Sequence, residues 1–213
     1  MKRLTLLAML PGLAAAASAT PGDPGVQEWH FTALLDGKKI GHHRFVLTRA
    51  GDGQELRSEA QFDVKFLFFN AYRYVHESSE RWQDNCLRSI SARTDDNGKP
   101  FAVRGAASDG RFLLRGAGRP EALPACVMTF AYWNPAMLKQ ARLLNAQNGD
   151  YLDVDVTPLG PEPVRVRGTP VPAQRYALRA KGIAIDLWYS LTHDWLALES
   201  ITADGHRLRY EIR

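Results

Sequence analysis

Leu56-Arg57-Ser58-Glu59-Ala60-Gln61-Phe62-Asp63-Val64-Lys65 places apolar or small side chains at every even position and charged or amide side chains at every odd one. A period of two puts one row of side chains on a core and the other in water, so the stretch reads as a half-buried β-strand. The same alternation returns at Leu152-Val154-Val156, at Val164-Val166 and, at the C-terminus, at Leu208-Tyr210-Ile212 against Arg207, Arg209, Glu211 and Arg213. One wet face and one buried face is the signature of antiparallel sheets. Between the strand-like runs lie Asp36-Gly37, Gly51-Asp52-Gly53, Asn97-Gly98, Asp109-Gly110 and Asp204-Gly205, which are hairpin turn signals. Crossover helices are missing, which argues against a parallel α/β sheet. The expectation is a mainly β protein, an antiparallel meander of about twelve strands. A sheet that long curls, so a strongly curved sheet or incomplete barrel is predicted, with a two-sheet sandwich as the alternative.

One segment departs from the pattern. Gly116 to Pro124 is rich in glycine and proline, and Asn134-Pro135 then reads as a helix N-cap followed by proline at the first helical position. A single short helix over residues 135–141, lying across the mouth of the sheet, is expected.

The first residues divide into a basic start at Lys2 and Arg3, an apolar run from Leu4 to Ala17, and the small-x-small string Ala17-Ser18-Ala19. This is the pattern of a cleavable signal peptide over residues 1–19, with a single β-rich domain over 20–213 and work outside the cytoplasm, in the periplasm. The apolar run is short of the ~20 residues that a transmembrane helix needs, so no transmembrane anchor is predicted. The formal charge of +4 would lose Lys2 and Arg3 on cleavage, and the arginines are scattered without a basic block. Nucleic acid is therefore not an expected partner. Cys86 and Cys126 are the two cysteines, and in an oxidising compartment such a pair is expected to join.

Candidate sites are few. Phe66-Leu67-Phe68-Phe69 interrupts the alternation ahead of Tyr72 and Tyr74, and it reads either as the lip of a cavity or a membrane-touching loop, or as a strand buried on both faces. Tyr132-Trp133 precedes the expected helix, where the rings either close a cavity or pack the helix onto the sheet. His42 and His43 point to opposite faces of a strand, as do His76 and Glu77, and neither His-x-His nor His-Glu-x-x-His occurs, so no metal or other cofactor is predicted. Gly-x-Ser-x-Gly is absent, and no catalytic residue is assigned. Asp153 and Asp155 share a strand face at a spacing of about 7 Å, but that face is the solvated one.

Several strings taken together resemble a known family: Asp36-Gly37-Lys38-Lys39-Ile40-Gly41, Tyr72-Arg73-Tyr74 with Glu80-Arg81-Trp82, Pro124-Ala125-Cys126, Phe130 through Pro135, Leu187-Trp188-Tyr189, and Trp195 through Ser200. In this order they are similar to an uncharacterised family of proteobacterial periplasmic proteins, a domain of unknown function, from which no catalytic residue transfers. More loosely, a meander ending in a Trp-rich hairpin resembles envelope proteins of the lipoprotein-carrier kind, which hold lipid or acyl chains against a curved sheet. That likeness implies architecture, and fold alone does not fix function.

The reading that follows is a periplasmic protein binding or carrying a hydrophobic, lipid-like small molecule, with Phe66, Phe68, Phe69, Tyr72, Tyr74, Tyr132 and Trp133 as lining or gate. The alternatives are an envelope structural or assembly factor that binds another protein, and an enzyme on lipid or glycan using Asp153, Asp155, His76 or Glu80.

Overall fold

The computed structural model of the chain describes residues 25–66, 69–116, 120–202 and 204–213. The expected signal peptide and Phe68 lie outside these residues. Sixteen strands are formed among them: β1 (Val26–Leu35), β2 (Lys38–Ala50), β3 (Gly53–Phe66), β4 (Phe69–Gln83), β5 (Cys86–Asp96), β6 (Lys99–Ser108), β7 (Arg111–Arg115), β8 (Glu121–Leu123), β9 (Arg142–Leu144), β10 (Tyr151–Pro161), β11 (Val164–Val166), β12 (Thr169–Val171), β13 (Ala173–Ala180), β14 (Ile183–Ser190), β15 (Trp195–Ile201) and β16 (Arg207–Ile212). The excess over the expected twelve comes from pieces such as β8, β9, β11 and β12, each three residues long and too short to display a period.

Fourteen strands make one sheet in the order β8-β7-β6-β5-β4-β3-β2-β1-β16-β15-β14-β13-β10-β9, every pairing antiparallel. A single sheet of this length excludes the sandwich. The first and last strands meet in its middle, with Phe31 opposite Ile212. The hairpins at Asp36-Gly37, Asn97-Gly98 and Asp109-Gly110 carry positive φ at both turn residues, as type I′ turns require. Register shifts at Ala33/Leu34, Val64/Lys65, Arg81/Trp82 and Trp188/Tyr189 are bulges, and bulges add the local twist and bend that roll a long sheet up.

The roll stops short of a barrel. No ladder joins β8 to β9 among the described residues. The two flanks approach where Gly116, just after β7, meets the loop between β9 and β10. A Cβ built on Gly149 there would lie 3.0 Å from the Gly116 Cα, and one built on Gly116 would lie 3.2 Å from the Asn148 carbonyl oxygen. The seam is therefore backbone packed on backbone.

Inside the roll runs the segment 124–141. Cys126 is disulfide-bonded to Cys86, and the Leu87 amide donates to the Val127 carbonyl at 2.9 Å, which ties one end to β5. Further along, the Tyr132 carbonyl accepts from the Tyr189 hydroxyl at 2.7 Å, on β14. The segment thus crosses the concave side from one flank to the other. Val127, Met128, Thr129, Ala131 and Met137 are almost wholly buried along it. The helix expected over 135–141 is a 3₁₀ turn, Pro135–Lys139, with the Asn134 side chain accepting the Ala136 amide as its cap. Five residues give too few α-helical hydrogen bonds to offset nucleation. The hairpin β11–β12 stands apart and packs Val164 against Ala173, Trp188 and Ala197, forming a second small core separate from the main one.

Candidate functional site

Strand β4 carries Tyr74, His76, Ser78, Glu80 and Trp82 in one register, and all five are buried. The apolar ends of the row join the core: Tyr74 stacks on Phe62 with ring centroids 5.2 Å apart, and Trp82 meets Trp133 edge-on at 5.5 Å. The middle does not. His76, Ser78 and Glu80 face a cavity of about 250 Å³ under the 124–141 segment. Opposite and beside them are Ser58 on β3, His43 on β2 and Tyr210 on β16, so one wall is polar. Across from it lies an apolar wall of Phe45, Leu56, Ile183, Ile185, Leu198 and Leu208, and Thr129, Asn145, Gln147 and Ser200 also belong to the lining.

The polar wall is organised into three groups. The Thr94 hydroxyl donates to the Gln147 carbonyl at 2.9 Å, so its one proton is committed, and the 2.9 Å contact from His76 Nδ1 must be Nδ1–H donating to Thr94. With the ring neutral, His76 Nε2 is then an unprotonated acceptor. His43 sits between Ser58 Oγ, 2.7 Å from Nε2, and the Tyr210 hydroxyl, 3.1 Å from Nδ1. Glu80 accepts at Oε2 from Trp82 Nε1 at 3.0 Å and from Thr129 Oγ1 at 3.3 Å, and Oε1 has no hydrogen-bond partner among the described residues.

Burial sets the protonation states. Desolvation pushes the Glu80 carboxyl from 4.5 up to about 7, although the bonds from Trp82 and Thr129 pull the other way. It pushes His76 from 6.5 down to about 4. His43 is held well below its ordinary value by burial first and then by the neighbouring His76 and His42. Burial raises the Tyr132 and Tyr210 hydroxyls above theirs. At neutral pH the wall is thus a set of uncharged donors and acceptors with one group, Glu80, at its titration point. The Ser58–His43 contact has the distances of a nucleophile and its base, but a histidine that resists protonation is a poor general base. It bridges the Ser58 and Tyr210 hydroxyls.

Of the aromatic residues singled out in the sequence, Tyr132 and Trp133 line the cavity. Tyr132 is also 5.2 Å from the Trp195 ring, and Trp133 Nε1 is buried without a partner among the described residues. Tyr72 and Tyr74 lie further along β4, outside the lining, with the Tyr72 hydroxyl donating to Asp96 at 2.7 Å. Phe66 and Phe69 end β3 and begin β4 and are register partners in the β3–β4 ladder. His76 and Glu80 share the cavity, whereas Asp153 and Asp155 are exposed on β10, Asp153 paired with Arg142 at 3.0 Å. His43, Ser58, Ser78 and Tyr210 belong to the site without having been singled out for it. The signal for them was polar residues at core-facing parity, such as Ser58 inside the strand that opened the sequence analysis.

The architecture is that of a β-barrel-like protein: one curved antiparallel sheet, unclosed, wrapped around a crossing segment and a partly empty interior. The chain belongs to the family described as domain of unknown function DUF6134, whose model matches residues 31–213. Among solved structures it is similar to a β-barrel-like protein of domain of unknown function DUF1849 from Brucella abortus. The TM-score is 0.63 at 10% identity, covering 87% of this chain and 94% of that one. At that identity the likeness is one of fold. No curated protein matches the chain.

Proposed function

We propose that this protein binds a small amphipathic molecule inside its curved sheet, as an exported binding or carrier protein of the periplasm. The observation that carries the reading is the cavity itself, which joins an aliphatic wall to a wall of buried polar groups. Pockets for small ligands have this make-up, an apolar lining with a few polar groups that fix orientation. The lipid-like ligand foreseen from the sequence is thereby narrowed to one with a polar end. A cavity of about 250 Å³ lies at the small end of ligand pockets, which fits a medium-chain alcohol or amine better than a diacyl lipid. The Cys86–Cys126 bond supports the compartment, since such bonds persist where the environment oxidises.

Isothermal titration with 1-octanol tests the proposal. Saturable binding is expected, and Ala146→Trp, at a half-buried lining position in the β9–β10 loop, is expected to weaken it at least tenfold by filling the space. No heat of binding to the folded wild-type protein, or binding that the tryptophan leaves unchanged, would sink the idea.

A further inference from the structure

Resting on the reading of the cavity as a ligand site, we propose that the polar end of the ligand is a protonated amine, with the Glu80 carboxylate as its counter-ion. Among the described residues lining the cavity there is one acid, Glu80, and neither lysine nor arginine. The register partners of Glu80 in the sheet are Leu56 on β3 and Ile90 on β5, and no cation among the described residues is hydrogen-bonded to it or acts on its carboxyl. Glu80 is 3% exposed, and its Oε1 has no partner among the described residues, while Oε2 is held by Trp82 and Thr129. A buried carboxyl without a cationic partner is a costly thing to place in a core, and an ammonium group entering the cavity is the complement it lacks.

The neighbours fit the same head group. An ammonium has three donors and no acceptor. Ser78 precedes Glu80 along the strand at a spacing of about 7 Å, and Ser58 stands directly across from Ser78. Their hydroxyl oxygens can accept the remaining N–H groups. Trp133 supplies an aromatic ring beside the same wall, and a cation is attracted by such a face. A carboxylate head would find donors such as Trp133 Nε1 but would face the Glu80 carboxylate with no lysine or arginine among the described lining residues to hold it, so a fatty-acid anion is selected against above the Glu80 titration point.

The charge switch is confined to one group. Facing Glu80 are Trp82 and His76 from its own strand, Leu56 and Ser58 from β3, Ile90 from β5, and Thr129, Tyr132 and Trp133 from the crossing segment. Across the cavity stand His43 and Tyr210. Both histidines are held below their ordinary range and both tyrosines above theirs, so between pH 5.5 and 8.5 the titrating group is Glu80.

The test compares octylamine, 1-octanol and octanoate by calorimetry on the full chain at pH 8.5 and 5.5. At pH 8.5 octylamine is expected to bind at least about tenfold tighter than octanol, the worth of one charge-assisted bond. At pH 5.5 a carboxyl titrating at about 7 is ionised in about one molecule in 30, and octylamine affinity should fall by about that factor while octanol affinity stays level. In Glu80→Gln the ratio of amine to alcohol affinity should drop to near 1. If that variant does not fold, the pH dependence of the wild type decides alone. Octanol binding with octylamine no tighter than octanoate, or an amine preference that survives at pH 5.5, overturns the amine assignment and leaves the cavity reading standing. Failure of all three probes overturns both.

Discussion

At the scale of single residues, Glu80 works against the fold. Its carboxyl is protonated in the folded protein up to about pH 7 but ionises near 4.5 once exposed, so between those values the unfolded chain binds fewer protons. Stability therefore falls as pH rises from about 4.5 to about 7 and stays lowered above that, by on the order of 3 kcal/mol. His76 acts in the opposite sense. It is neutral when folded down to about pH 4, while the unfolded chain takes up a proton below 6.5, so its contribution is present above 6.5 and lost as pH falls towards 4. The two slopes overlap and largely cancel in the wild type. Glu80→Gln keeps an acceptor for Trp82 and Thr129 and removes one slope. Urea unfolding from pH 4 to 8 should show little difference from wild type near pH 4 and a stabilisation growing to about 3 kcal/mol above pH 7; a pH-independent difference would count against the buried-acid account. The parity of His76, Ser78 and Glu80 was legible in the sequence, since residues two apart share a face. Which face was not, because Tyr72 and Arg73, or Glu80 and Arg81, do not by themselves say which row meets a core.

At the scale of elements, the crossing segment decides whether the sheet has an interior to use. Its anchorage is mixed: the Cys86–Cys126 bond and the Leu87–Val127 hydrogen bond on one flank, the Tyr189–Tyr132 bond on the other, and a short parallel bridge from Thr129 to Leu144 between them. The disulfide closes a loop with a sequence separation of 40, which corresponds to about 4 kcal/mol of lost chain entropy in the unfolded state. The double variant Cys86→Ser, Cys126→Ser should unfold at lower urea by about that free energy. Hydrogen exchange should accelerate at the Leu87 amide, which is bonded to the segment, more than at Phe31 in the sheet centre. Equal acceleration at both would mean that the bond braces the whole sheet and has no special hold on the segment. The long strands, the paired cysteines and the Asn134-Pro135 cap were all legible, because alternation, an isolated cysteine pair and a capping residue are local signals. The path of 124–141 through the core was not. Its two flanks are held by contacts to residues about 40 to 60 positions away, at Cys86, Leu87 and Tyr189, which no local period records.

At the scale of the whole molecule, the structure is a barrel in shape that lacks the last ladder. Long open sheets leave edges that invite pairing with another chain, and closure is the general remedy. Here both edge strands are three residues long, and the flanks meet through glycine instead of through hydrogen-bonded strands. Thr94 on β5 also reaches the seam by donating to the Gln147 carbonyl, so the same loop that closes the roll fixes the His76 tautomer and forms one edge of the cavity. Gly149 is required there twice over. Its φ of +88° is costly for any side chain, and a Cβ would press on Gly116. A matched control separates the two effects: Gly168, in the β11–β12 turn, has φ +81° and open space around its Cβ position. Gly168→Ala should cost about 1 kcal/mol from backbone strain alone. Gly149→Ala should cost at least about 2 kcal/mol, because backbone on both sides leaves little to relax, and tight packing makes small overlaps expensive. The added cost should come with weaker 1-octanol binding, since the displaced loop carries Asn145, Ala146 and Gln147 of the cavity lining. Equal losses in the two variants, with binding untouched, would show that the seam can part without disturbing the interior, and that the sheet keeps its curvature from the bulges alone.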